Sequence, residues 1–303
     1  MGDYSLDNLT NLPPVGSSRM GEREQAVVFE PDQRVRLGFF PGWRVMVGNV
    51  VSSRELIWQL FKRDFLAGSK QSALGLLWML ITPLVGIVSW VVMNTVGVLH
   101  PGEVGVPYPI YVLCGTTLWG MFMGFYASAA ASLTSAGGLM AQARFSHEAL
   151  VAQQLAQAVI TAIANLVLLA VVWAVGGLTV HWSVVWFPVT LLPLVLLGTG
   201  IGLIVSVFAV VVHDITKAVT TLLGLLMFVT PVIYASNVSH DWLQRVIWWN
   251  PLTYLVGGAR DLLLKGRIDH LLAYACAVAF ALGLFLMAWR LFFLSEQKVA
   301  ERL

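Results

Sequence analysis

From Ala149 to Val212 the chain contains no Asp, Glu, Lys or Arg, and the same holds from Gln71 to Gly102 and from Val104 to Ala143. A water-facing element needs charge on its outer face, so runs this long belong in lipid or in a very large interior. A chain of 303 residues has no such interior, because a soluble domain of that size leaves roughly a quarter of its surface exposed. The composition agrees, with 58% hydrophobic and 11% charged residues against roughly 25% charged in an ordinary soluble domain. The chain reads as an all-α, polytopic membrane protein.

A helix needs ~20 apolar residues to cross a ~30 Å hydrocarbon layer. The uncharged runs divide at Gly, Pro and His into six such segments: Leu76–Val98, Tyr108–Thr134, Gln154–Val175, Val185–Val211, Ala218–Tyr234 and Leu271–Phe293. The breaks are short, at His100 to Glu103 and at Gly176 and Gly177 through Trp182. Residues 1–50 are polar and mixed in charge, with Pro13, Pro14, Pro31 and Pro41, which predicts a cytoplasmic tail rather than a cleavable signal. With that end inside, only Arg245, Arg260, Lys265 and Arg267 of the 18 Lys and Arg residues fall outside. The bias places both termini, including a short tail over 296–303, in the cytoplasm, with the six-span unit, 71–295, in the membrane.

The span interiors carry no ionisable carboxylate or amine. A membrane enzyme or an ion-coupled carrier places such groups where the substrate sits, so both classes are disfavoured and no catalytic residue is expected. All six His (His100, His147, His181, His213, His240, His270) lie at segment ends or in loops, where solvation is the ordinary role. Cys114 and Cys276 fall inside apolar runs without the clustering of a metal site, and read as small core residues. A net charge of +2 gives no reason to expect nucleic acid. The chain also lacks GxxxxGK[ST], the loop that holds nucleotide phosphates. If ATP drives its work, ATP and Mg are held on another polypeptide, and cytoplasmic segments of this one must receive the motion.

Four features suggest a mechanism. Over 51–70, Ser52 and Glu55 form a capping box. Ile57, Leu60, Phe61 and Phe65 then fall on one side of a helix and Glu55, Gln59, Lys62 and Arg63 on the other. This describes a helix lying on the inner leaflet, or a helix of a small soluble domain. The loop 137–150 holds Arg144, Phe145, His147 and Glu148 in a helical pattern too short to span, suited either to a partner or to solvent. Between the fifth and sixth spans, Asp241 to Trp249 and Leu252 to Leu264, broken at Asn250 and Pro251, read as a hairpin of two short helices dipping into the outer leaflet within 236–268. Finally, Tyr108, Tyr111, Tyr234, Tyr254, Trp182, Trp186, Trp242, Trp248 and Trp249 gather near the outer surface. They form an aromatic belt at the headgroups, or some of them face a passage and stack on sugar rings.

Three stretches give the chain a family resemblance. They are Arg54, Glu55 and Leu56 with Arg63, Asp64, Ser72, Leu74, Gly75, Trp78 and Pro83; then Met227, Phe228 and Thr230 to Tyr234; then Asn250 to Tyr254 with Arg260 and Gly266. In this order, over about Arg54 to Ser295, the chain resembles the permease subunits of type 2 ABC exporters for bacterial surface polysaccharides, the O-antigen, teichoic acid and capsule export group. It departs at Gly68 and Ser69, where the family often has Arg-Tyr, and at His213 and Asp214, where it often has Arg-Asp.

The resemblance implies a homodimer with a channel between two copies, each of six spans, above two copies of an ABC ATPase subunit. The cargo would be a polysaccharide on a polyprenyl-pyrophosphate lipid. Arg144, Phe145, His147 and Glu148 would form the coupling contact with the ATPase. Arg54, Arg63 and Lys70, on the helix that also carries Glu55 and Asp64, would meet the pyrophosphate and membrane lipids. Asn250, Pro251 and Arg260 would shape an outer gate, with Tyr108, Tyr234, Trp248 and Trp249 as the aromatics that stack on glycan. A permease for a drug or a lipid shares this architecture. A membrane glycosyl- or acyl-transferase would need an acid/base pair the spans do not offer, and a non-catalytic scaffold would need no ATPase at all.

Overall fold

The structure, a computed structural model, describes residues 38–70, 75–134, 147–212, 214–236 and 240–300. Among the described residues the regular elements are all helical. That is what lipid demands of a chain whose backbone groups must be satisfied within each segment.

Two helices precede the apolar runs, α1 (Phe39–Ser52) and α2 (Arg54–Lys70). The first lies where the sequence suggested only a polar tail. Its Phe39, Phe40, Trp43, Val45, Met46 and Val50 are the signal that the nearby prolines obscured. Because α1 is helical through Ser52, the expected capping box does not form. The Ser52 hydroxyl turns back to the Asn49 carbonyl at 3.1 Å. In α2 the amphipathic pattern holds: Leu60 and Phe61 are buried, while Glu55, Gln59, Lys62 and Arg63 are exposed.

Five helices among the described residues are long and apolar enough to cross a membrane. They are α3 (Trp78–Thr95), α4 (Tyr108–Ala131), α5 (His147–Val175), α6 (Phe187–Ala209, entered through a 3-10 turn at Trp182–Trp186) and α10 (Leu271–Ala300). The protein is therefore a multi-pass membrane protein.

The segment expected as a fifth span holds α7 (Asp214–Val229), of 16 residues, about 24 Å at ~1.5 Å per residue. It stops because Pro231 disfavours helical backbone in the residue before it, and Thr230 to Ser236 continue as turns and bends. Two more helices, α8 (Asp241–Trp249) and α9 (Pro251–Lys265), form the hairpin and meet at Asn250. Gly266, at φ 71°, ends α9 in the left-handed conformation that glycine adopts without strain.

The centre of the bundle is α4 against α6. An 18-residue stretch of α4 is 72% buried, because α6 presents glycine where the two backbones meet. A Cβ on Gly198 would lie 2.5 Å from the Phe122 carbonyl oxygen, and one on Gly202 2.4 Å from that of Tyr126. Gly200, two residues round the helix, faces the other way and would meet Leu284 at 2.7 Å on α10. With little hydrophobic drive between helices in lipid, close backbone approach at small residues is what binds them. This Gly198, Gly200, Gly202 pattern is legible in the sequence and sets α6 between α4 and α10.

The bundle has two distinguishable ends. At the terminal end, Trp43 of α1 stacks on Trp289 of α10 at 5.6 Å, and Leu60 of α2 packs with Leu150 of α5. At the bend end, the start of α4 meets the residues that follow α7. α7 runs antiparallel to α4: Tyr126 contacts Thr220 near its start and Tyr111 the Tyr234 carbonyl beyond its finish.

Candidate functional site

Where α7 breaks, its last carbonyls lose their helical donors. A carbonyl buried without a donor costs about 1–3 kcal/mol, so the bend needs outside donors; three side chains supply its carbonyls and a fourth, Asn250, holds the Thr230 hydroxyl. Tyr108 donates its hydroxyl to the Ile233 carbonyl at 3.1 Å and Tyr111 donates to that of Tyr234 at 2.9 Å, both from α4. Arg260, in the middle of α9, donates through Nη1 to the Pro231 carbonyl at 2.9 Å. Asn250 donates through Nδ2 to the Thr230 hydroxyl at 2.8 Å and accepts from the Leu252 amide at 3.0 Å, which caps α9 at the same time.

The Arg260 guanidinium is 5% exposed and lies 4.2 Å from the centre of the Tyr111 ring. A buried charge needs such compensation, and an aromatic face provides it where no carboxylate does. Gly115 lets the bend come this close: a Cβ there would sit 2.1 Å from the Val232 carbonyl oxygen. The Ala235 amide, bonded to the Pro101 carbonyl at 2.7 Å, ties the bend to the loop after α3.

Beside the bend opens a cavity of about 620 Å³, walled by α8, α9, the start of α10 and the loop around Glu103. Asp261, Lys265 and Asp269 stand in its wall as an ion cluster. Lys265 lies 3.2 Å from Asp261 and is hydrogen-bonded to Asp269, which also holds Arg267 at 3.3 Å. Burial pulls the Lys265 ammonium down, but its bond to Asp269 and the charge of Asp261 outweigh that and leave it above its ordinary range. The hydrogen bond from Lys265 holds the Asp269 carboxyl below the usual carboxylate range. Trp248 and Tyr254 also line the cavity, and the Tyr254 hydroxyl donates to the Trp248 carbonyl at 2.9 Å.

A second polar cluster lies at the terminal end. Gln153, buried on α5, donates to Asp64 of α2 at 3.0 Å, and the other Asp64 oxygen accepts from Arg63 at 2.9 Å. Glu148, in the first turn of α5, is fully buried.

The family of ABC-2 type transporters matches residues 55–264, more than half of the chain. The chain belongs to this family. It is similar to the O-antigen export system permease protein RfbA of Myxococcus xanthus, 24% identical over 226 residues that cover 74% of this chain and 85% of that one. It is also similar to the RfbA of Klebsiella pneumoniae (22% identical, 71% and 83% covered) and to the polysialic acid transport protein KpsM of Escherichia coli (23% identical, 70% and 82% covered). In this ABC-2 chain the matched region runs from the start of α2 to the last turn of α9, taking in the bend, Arg260 and the Asp64–Gln153 pair, and stopping just before Lys265.

The ABC-2 fold brings the expected gate residues together: Asn250 and Arg260, on either side of Pro251, grip the same bend. Of the aromatics, Trp248 faces the cavity, but Trp249 does not line it and is 89% exposed. Tyr108 is buried with its hydroxyl on the bend, so it braces backbone and offers no free face for stacking. Tyr234 donates to the Phe228 carbonyl at 2.9 Å, closing the bend on its own helix. Cys276 is exposed on α10, unlike Cys114, and so is not the core residue its apolar run suggested.

At the terminal end, Arg54 and Glu55 are exposed at the start of α2. Arg144, Phe145 and the side chains of Lys70 and His147 lie outside the described residues. Of the four residues expected to couple to a partner, only Glu148 has a described side chain, and it is buried. The sequence reading missed Tyr111, Thr230 and Gly115 as partners of the bend. Only the Pro231 break, which strands carbonyls, hinted that donors had to exist nearby.

Proposed function

We propose that this chain is the transmembrane subunit of an ATP-driven exporter that moves a lipid-linked surface polysaccharide across the bacterial inner membrane. The observation that carries the reading is that relatives matched along most of their length are named as O-antigen export system permease proteins and as a polysialic acid transport protein. The fold supports it in three ways. Spans whose long central stretches carry no charged residue, with Glu148 and Arg290 lying toward the ends of theirs, suit the passage of a hydroxyl-rich polymer. α7 and its braced bend together run from the terminal end to the bend end, so the bend completes a sixth crossing that the helix alone is too short to make. α8 and α9 then act as a re-entrant hairpin, with non-helical backbone buried in protein as lipid requires.

The terminal end is the cytoplasmic one. α2 lies at the inner leaflet, where Arg54, Arg63 and Lys70 meet the cargo's pyrophosphate with cationic donors. The loop holding Arg144 and Phe145, with His147, docks on a separate ATPase subunit, present in two copies beneath a homodimer. ATP and Mg belong to that subunit, and this chain contributes no catalytic group.

The test is complementation. A strain lacking this gene should lose its surface glycan, accumulate the lipid-linked polymer inside and recover when the gene is restored. The purified chain should bring an ABC ATPase with it. Normal surface glycan in the deletion strain would overturn the reading, as would ATP-independent export.

A further inference from the structure

We propose that residues 96–107, which join α3 to α4, form a hinged strap that closes over the bend and has to lift before the bend can move. Its role in transport rests on the export reading, whereas its motion does not.

Bend and strap are held very differently. Thr230, Val232 and Ile233 of the bend are 0%, 0% and 3% exposed, and side chains from α4 and α9 brace its carbonyls. No residue of the strap is buried, and all are exposed or half-buried. Leu99 and Val104 are the strap residues that rest against the apolar core. Among the described residues, one backbone hydrogen bond ties the middle of the strap to the rest of the protein, from the Ala235 amide to the Pro101 carbonyl at 2.7 Å. A neutral backbone bond shifts an equilibrium by only about two- to tenfold, so this contact can hold the strap down and still release it.

A glycine stands on either side of that latch. Gly97 and Gly105 lie at φ 77° and 73°, a left-handed backbone that strains a residue carrying a Cβ and that glycine adopts freely. A Cβ at either position would meet no atom within 4 Å. Backbone conformation, not close packing, therefore calls for glycine here, and the open space leaves both points room to turn. Beyond them the strap leads from α3, in which Ile87 is the one buried residue, to Pro107, whose carbonyl accepts from the Ile110 and Tyr111 amides at the start of α4. A short segment with two glycine turns and one latch is built as lids are, with a few loop residues absorbing the change in backbone angle.

The strap covers something. Glu103, Val104 and Gly105 form one side of the cavity beside the bend, and a Cβ on Gly102 would lie 3.3 Å from that of Ala235. Lifting the strap removes a wall of the cavity and frees the Ala235 amide in the same motion.

The first test is hydrogen exchange of the unmodified full-length permease in lipid nanodiscs, resolved to single amides. The Ala235 amide should exchange at least about tenfold faster than those of Thr230 and Val232, which are bonded within their own segment, because the strap opens while the bend stays closed. Exchange of all three at one rate would mean that strap and bend open as a unit, and overturns the proposal. The second test links the two by replacing Gly102→Cys and Ala235→Cys in a Cys276→Ala background, with copper phenanthroline as oxidant. The Cβ separation is a few tenths of an ångström short of the ~3.8 Å of a disulfide. The link should form, slow Ala235 exchange at least about tenfold relative to the reduced form, and lower surface glycan in the complementation strain at least about tenfold, with recovery on reduction. Failure of the link to form, unchanged Ala235 exchange once it has formed, or full export with the strap linked overturns the proposal. Should the double substitution block export even when reduced, exchange of the unmodified permease decides. An unmodified chain that shows fast Ala235 exchange but restores no surface glycan overturns the export reading and leaves the strap standing.

Discussion

Arg260 reaches back across 29 residues of chain to hold the Pro231 carbonyl at 2.9 Å, so the middle of α9 supports the point at which α7 breaks. Its charge is offset by the Tyr111 ring rather than by a carboxylate, and three elements therefore converge on one side chain. Replacing Arg260→Ala strands the carbonyl and removes the ring contact. With about 1.5–3 kcal/mol for a charge-assisted bond and about 0.5–2 kcal/mol for the cation–π contact, the variant should lose roughly 2–5 kcal/mol. Arg260→Lys should recover only part of this, since an ammonium lacks the planar fork. Thermal unfolding followed by tryptophan fluorescence measures both. An Arg260→Ala variant as stable as the parent would remove Arg260 from this role.

The same bend presses against Gly115, and this gives a sharper test because it adds atoms instead of removing them. Gly115→Ala drives a Cβ to 2.1 Å from the Val232 carbonyl oxygen, a clash with backbone that no rotamer relieves. Overpacking of this kind costs about 1–3 kcal/mol or more. Gly120 lies on the same helix with nothing near its would-be Cβ, so Gly120→Ala should be neutral or gain up to about 1 kcal/mol from helix propensity. The ratio of folded to aggregated protein on size exclusion should separate the two variants. Similar behaviour from both would mean that the bend does not sit against α4.

Much of this arrangement was legible from residues alone, and the exceptions have physical causes. Charge-free runs locate the membrane helices because lipid leaves the backbone no alternative, and Asn250-Pro251 announces a helix start by capping chemistry. The length of α7 misled because an apolar run such as Ala218 to Tyr234 does not show where helix gives way to irregular backbone. Only Pro231 marked the place. α1 was hidden because its apolar residues interrupt a polar, proline-containing stretch, and its partner Trp289 lies at the far end of the chain. Donors to the bend, such as Tyr111, are separated from it by more than a hundred residues, and no local pattern reports contacts at that range.

The ion cluster of Asp261, Lys265 and Asp269 sets an expectation about pH. Asp269 is held below its ordinary value of 3.8 by Lys265, so its stabilisation is fully present above that value and is lost as pH falls through the lowered one. Lys265 is raised above 10.5, so its share is fully present below 10.5 and is lost as pH rises through the raised value. Between about pH 5 and 9 neither group changes charge, and the cluster should contribute a constant amount to stability. Parent and Asp269→Asn proteins should therefore show parallel melting curves across that window and converge only in stronger acid. A difference between them that changes steeply near pH 7 would show that another group governs the cluster.

The proposed coupling contact can be tested without knowing the cargo. Glu148 is fully buried in the first turn of α5, where a negative charge is favoured by the helix dipole. Glu148→Ala should act through folding, reducing the amount of protein in the membrane and the ATPase recovered with it in equal proportion. On the proposed reading, Arg144 and Phe145 act at the surface. Arg144→Ala with Phe145→Ala should leave the amount of permease unchanged while reducing the ATPase recovered per permease by about tenfold, equivalent to ~1.4 kcal/mol of binding energy. Quantitative immunoblots of membranes and of the purified complex give both numbers. If the double variant retains the full complement of ATPase and Glu148→Ala loses it at normal expression, the contact lies on α5 itself and the loop before it is not the coupling element.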